Sequence, residues 1–205
     1  MRTVDHRILA GSLIDMIGKD GYIPEIYKKA FIIGSIEPDK NLLTYLHGFL
    51  GGRKLHGHDY ENILPMMKRL YDMLSEKKVF GLKDYYRLGK LLHYTADAFT
   101  YPHNSIFTGS LAAHVIYERK LHEKFCAAVS EVRSTEQIRL SAEKFEDMQD
   151  LHFEYMQSAG GYEWDCRYIL QASSMVMAQF AEHHAGAHRR GALDLCREGG
   201  NRYGI

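Results

Sequence analysis

The sequence predicts an all-α fold, and three observations carry that expectation. Apolar residues recur at three- and four-residue intervals along most of the chain, the period of a helix that buries one face. Val/Ile/Thr alternations of the kind that build strands are few. Only four prolines occur in 205 residues, so little in the chain forbids helix.

The length suits one domain, residues 1–205, with 197–205 expected as a tail. A 45% hydrophobic fraction supports a substantial core rather than disorder. Lys+Arg and Asp+Glu balance at 26 each, so no overall basic field draws the chain to nucleic acid or anionic membrane. Twelve histidines are many for this length, and histidine is the commonest metal ligand. Cys126, Cys166 and Cys196 are odd in number and widely spaced, which reads as free thiols of a reducing compartment. The sequence shows no apolar core of a signal peptide and no run of ~18 apolar residues that could span a bilayer. A soluble, cytoplasmic protein is expected; oligomeric state is not legible.

The elements follow in order. Residues 4–17 form a first helix, with Val4, Ile8, Leu9, Ser12, Leu13, Met16 and Ile17 on one face and Gly18 as its cap. His6, near its start, taken alone reads as a surface residue. A second helix runs from about Pro24 to Gly34. Pro38 then predicts a non-helical approach to Asp39, which is either a cap or a ligand on a rigid loop. Residues 41–50 are helical in pattern and Gly51-Gly52 breaks them. His56 and His58 lie on the loop before a helix from about Tyr60 to Leu74.

The most informative stretch is Leu88 to His103, in a helix that starts near Leu82. Leu88, Leu91, Leu92, Ala96 and Phe99 mark a buried face, and His93 and Asp97 lie one turn apart beside it. Pro102 turns the chain and leaves His103 just past the helix end. A buried imidazole beside a buried carboxylate is costly unless a charge satisfies them. A divalent metal does so; a core histidine hydrogen-bonded to Asp97 is the alternative.

The next helix, from about Ser110 to Val132, repeats the theme with His114 and Glu118 on a face that includes Leu111 and Leu121. Helices from about Thr135 to Met156 and from Trp164 to His184 complete the core, with Met175, Met177 and Phe180 packed inside. Glu143, Glu146, Asp147 and Asp150 read as a solvated face, and His183, His184 and His188 as a helix end and tail. No phosphate-loop, Gly-x-Ser-x-Gly or dinucleotide fingerprint occurs.

Taken together, His6, Asp39, His58 (or His56), His93-x3-Asp97-x5-His103 and His114-x3-Glu118 resemble the zinc-dependent phospholipase C family. Its wider superfamily includes the zinc-dependent single-strand nucleases. The match covers roughly residues 4–120 and is most specific at Leu92-His-Tyr-x-x-Asp-x-x-x-x-Pro-x-His103. His6-Arg-Ile-Leu-Ala-Gly-Ser-Leu-Ile-Asp-Met-Ile17 resembles the family's first ligand helix.

The resemblance implies an all-helical domain with a metal cleft between core helices. Asp39, His58, His93 and Asp97 would hold one metal, and His103, His114 and Glu118 a second. His6 and Asp97 would contribute to a third, so two or three zinc ions are implied. Imidazoles and carboxylates also suit Fe, Mn, Ni or Co. The implied activity is phosphodiester hydrolysis of a phospholipid by a metal-activated water, with Asp39 as general base. The chain departs from the family in two places. Secreted members ligate the third metal with an N-terminal tryptophan, whereas here Met1 stands five residues before His6. Choline-preferring members carry an aromatic residue beside the Asp39 equivalent, whereas here Lys40 offers a cation to an anionic head group or phosphate. The competing expectations are a nuclease or nucleotidase stacking a base on Tyr94, Tyr101 or Phe107, and a non-catalytic metal-binding relative.

Overall fold

The computed structural model describes residues 1–17, 23–40, 59–135, 144–157 and 160–199, with backbone alone at 132–135 and 181–199. Among these residues seven α-helices and one 3₁₀ turn follow in order. They are α1 (Thr3–Ile17), α2 (Glu25–Lys40), α3 (Tyr60–Ser75), α4 (Leu82–Ala98), the 3₁₀ turn Tyr101–His103, α5 (Leu111–Thr135), α6 (Phe145–Met156) and α7 (Tyr162–Gly199). No strand occurs among the described residues. The fold is all-α, as the periodicity predicts.

The central element is α4. Asp84 opens it by accepting the Gly81 backbone N–H at 3.1 Å while pairing with Arg87 at 3.0 Å. From Leu91 to Thr100 every residue is buried, so this segment is covered on all sides rather than along one stripe. Leu88, Leu91, Leu92, Ala96 and Phe99 belong to one apolar cluster with Leu9 and Leu13 of α1, Phe31 of α2, Phe125 of α5, Tyr155 of α6 and Phe180 of α7. Met175 and Met177 are buried with Phe180, as expected.

Two glycines bring α2 and α4 together at backbone distance. A Cβ on Gly34 would stand 2.0 Å from the Tyr86 carbonyl oxygen, and one on Gly89 2.0 Å from that of Phe31. Only the missing side chains permit this crossing.

Several boundaries depart from the sequence expectation. Helix α2 does not stop at Gly34 but continues through Pro38 to Lys40, so Asp39 sits in a last helical turn rather than on a loop. Proline's fixed φ is helix-compatible, and its cost is the lost bond to the Gly34 carbonyl; close packing of that turn on α4 outweighs the loss. On α1 the buried face is centred on Leu9, Ala10, Leu13 and Ile14 and includes His6, while Val4 is exposed. Leu111 is 74% exposed and lies outside the buried face of α5. Thr135 ends α5 instead of starting the next helix, whose described part begins at Phe145. Helix α7 begins at Tyr162 and runs to Gly199, past the expected end at His184 and into the expected tail. Glu146 and Asp150 are exposed, and Asp147 accepts the Lys144 backbone N–H at 2.9 Å. Gly18, residues 41–58 with His56 and His58, and Glu143 lie outside the described residues, as does the Cys196 side chain; Cys126 and Cys166 are free.

Candidate metal centre

The buried half of α4 carries His93 and Asp97 between α1 and α2. His93 is fully buried, and its Nδ1–H donates to the Ser35 carbonyl at 2.9 Å. That bond fixes the ring so that Nε2 faces two carboxylates, Asp97 Oδ2 at 3.2 Å and Asp39 Oδ1 at 3.6 Å. Orienting one imidazole nitrogen by a backbone acceptor leaves the other as the lone-pair donor a cation needs. The α2–α4 glycine crossing makes this possible, because Ser35 follows Gly34.

His6 of α1 stacks on His93 with ring centroids 3.8 Å apart. Its Nε2 is 3.2 Å from Asp97 Oδ1, yet neither ring nitrogen makes a well-directed hydrogen bond. Asp39 Oδ2 is buried and unpartnered as well. Burial, and then the neighbouring His93, lower the His6 pKa to about 4, so the imidazole is neutral at physiological pH. The helix-start histidine that alone reads as a surface residue is therefore 1% exposed and at the heart of the molecule.

The chain leaves α4 through the 3₁₀ turn, which delivers His103 to the same space. His103 Nε2 lies 3.8 Å from Asp97 Oδ1 and 3.3 Å from Glu118 Oε1, which is also 3.0 Å from His114 Nε2. The Met1 amino nitrogen sits among these groups, 2.6 Å from Asp97 Oδ1, 3.0 Å from Glu118 Oε1 and 3.1 Å from His103 Nε2. Burial opposes its charge, but Asp97 and Glu118 outweigh burial and raise this amine to about 11. Burial alone would raise the Asp97 carboxyl; the Met1 amine and the surrounding histidines hold it well below its usual range.

Donor atoms of His6, Asp39 and His93 fall within 4.8 Å of one another, as do those of His103, His114 and Glu118. Asp97 lies between the two groups. The donor types fit zinc, and the orphaned His6 nitrogens and Asp39 Oδ2 are buried polar atoms whose isolation a cation would relieve. Among the described residues, the ligand candidates His6, Asp39, His93, Asp97, His103, His114 and Glu118 thus converge; His56 and His58 lie outside the described residues. Lys40 is exposed next to Asp39.

The zinc-dependent phospholipase C family model matches residues 5–162. The chain belongs to the zinc-dependent phospholipase C family. No curated protein and no solved structure matches it significantly. Membership supports a zinc-dependent hydrolase of the phospholipase C type, and the clustered histidines and carboxylates are donor types that suit zinc.

Supporting residues that sequence reasoning missed surround the cleft of this family member. Asn104 Nδ2 donates to the Ala98 and Thr100 carbonyls at 3.1 and 3.0 Å, and its Oδ1 accepts from His152 Nε2 at 2.9 Å. Asp165 of α7 accepts the Tyr101 N–H at 2.9 Å, Tyr117 Oη–H at 2.9 Å and Tyr155 Oη–H at 2.7 Å. One buried carboxylate thus ties α5, α6 and α7 to the turn that carries His103. No local spacing announces these contacts. A row on α5 was legible: His114, Glu118, His122 and Cys126 recur at every fourth position.

Proposed function

We propose that this cleft holds a zinc cluster and hydrolyses the phosphodiester bond of a phospholipid. The observation that supports the reading is the convergence of His6, Asp39, His93, Asp97, His103, His114 and Glu118, with the His6 ring nitrogens and Asp39 Oδ2 buried and without a hydrogen-bond partner. His58 is retained as a further ligand on the family resemblance, as is a single-domain reading of the chain. Asp39, His93 and Asp97 would hold one ion, His103, His114 and Glu118 a second, and His6 with Asp97 a third.

When bound, zinc polarises a phosphoryl oxygen and lowers the pKa of a coordinated water toward ~7. The chain's own residues do the rest. Asp97 places negative charge between the two donor groups and offsets cation repulsion. The Ser35 carbonyl holds His93 in the tautomer that presents Nε2. Asp39, at the helix end and 14% exposed at its side chain, would be the base that accepts the proton of the nucleophilic water. Lys40, exposed beside it, meets the anionic phosphate or head group.

A lipid is favoured over a nucleic-acid substrate by the surface beside His114. Ile106, Leu111, Val115 and Ile116 are exposed on the loop and first turns of α5 that carry this histidine. Of the stacking candidates, Tyr94 is only 4% exposed, whereas Tyr101 and Phe107 are half-buried. The test is hydrolysis of phospholipid vesicles and of single-stranded DNA side by side, with and without chelator. Chelator-sensitive release of the phosphorylated head group supports the reading. Cleavage of DNA alone moves the chain to the nuclease branch, and no turnover of either leaves a metal-binding relative.

A further inference from the structure

The four-residue row on α5 does not end at the cleft. A step of four residues drifts about 40° round a helix, so the row winds. His114 and Glu118 face the cleft, while His122 and Cys126 come to lie against the first turn of α1. There Asp5, with no exposed surface, presents its carboxylate. Asp5 Oδ1 pairs with His122 Nδ1, and Oδ2 accepts the Arg2 backbone N–H at 3.3 Å. The Cys126 sulfur stands 3.8 and 3.9 Å from the two His122 ring nitrogens. One donor atom from each of Asp5, His122 and Cys126 lies within 4.8 Å of the other two. None of these residues belongs to the cleft.

We propose that Asp5, His122 and Cys126 form a separate zinc-type site that clamps the first turn of α1 onto α5. A thiolate, an imidazole and a carboxylate make a borderline-soft donor set that takes Zn²⁺ or Co²⁺ and discriminates against Mg²⁺ and Ca²⁺. His122 and Cys126 are partly exposed, so the ion enters from solvent and a water completes four-coordination. Binding displaces the thiol proton and the proton between His122 and Asp5, both released to buffer. Because Asp5 precedes His6, the clamp also fixes the register of the histidine inside the cleft.

The site has a signature that the cleft cannot give. No donor of the cleft among the described residues is a thiolate, so coordination by Cys126 would add thiolate-to-cobalt charge-transfer absorption in the near ultraviolet, and loss of the band in Cys126→Ser assigns it to that residue rather than to Cys166 or Cys196. The full-length protein is dialysed against Co²⁺, desalted and compared with Cys126→Ser and His122→Asn. The expected result is a charge-transfer band in the unmodified protein that vanishes in Cys126→Ser. Cobalt content falls there by one ion per chain, with helicity by circular dichroism unchanged. His122→Asn keeps the band but weakens its cobalt affinity by about 10-fold or more. A cobalt-loaded protein with no band, or a band of equal strength in Cys126→Ser, overturns the proposal.

Discussion

Asp97 is the residue on which the cleft turns. Its Oδ1 faces the Met1 amine, His6 and His103, and its Oδ2 faces His93. Removing its charge leaves the histidines around one neutral amide and takes the shared carboxylate from between the two donor groups. Asp97→Asn is therefore expected to lose bound zinc and to lower hydrolysis by more than about 100-fold. Zinc analysis and kcat/KM on the same preparation check this; full activity in the variant would remove Asp97 from the site. The pair His93/Asp97 was legible because an i, i+4 spacing beside an apolar stripe is local information. Ser35, 58 positions from its partner His93, and Asp165, 64 from Tyr101, were not, because no spacing rule encodes a contact the tertiary fold creates. The burial of His6 was not legible from its own helix for the same reason, although the family pattern places it among the ligands. Its burial comes from α4, not from α1.

The α2–α4 crossing decides whether the cleft closes. Gly89→Ala would push a methyl to 2.0 Å from the Phe31 carbonyl oxygen and 2.9 Å from the Ser35 nitrogen, and both obstacles are backbone. The helices must separate, which moves the Ser35 carbonyl off His93. A loss of roughly 3 kcal/mol or more in unfolding free energy is expected, measured by urea denaturation, with zinc affinity falling in parallel. Unchanged stability would mean the two helices do not approach as closely as described. The start of α4 was readable from periodicity and turn residues around Gly81, whereas the extent of α2 was not. The rule that proline ends a helix is a local preference, and here the packing of residues 34–38 against α4 overrides it. The long α7 was under-read because its polar C-terminal half has no apolar stripe to announce it.

For the molecule as a whole, the buried imidazoles set the acid limit. Burial lowers the pKa of both His6 and His152 from 6.5 to about 4. A depressed folded-state value gives stability that is present above the unfolded value and lost as pH falls from about 6.5 to 4, at about 3 kcal/mol for each group. Asp165 works the other way. Burial raises it from 3.8 to about 6, so the folded state gains a proton there first and recovers about 3 kcal/mol. Two histidines outweigh one aspartate. In the metal-free protein stability is expected to fall by about 3 kcal/mol between pH 6.5 and 4, with His103, also lowered by burial, adding to the loss. Denaturant melts at stepped pH check this, and a protein equally stable at both ends would contradict the buried, neutral histidines.

Among the described residues no helix is long and apolar enough to cross a membrane, and Leu111 and Val115 are exposed beside His114. The central claim is that the cleft is a metal centre. Metal content per chain, measured by plasma mass spectrometry on Cys126→Ser protein purified without metal column or chelator, tests it most directly, because that variant removes the one ligand cluster outside the cleft among the described residues. Two or three zinc ions per chain, lost together on Asp97→Asn substitution, is the predicted result. A stably folded protein that carries none would contradict it.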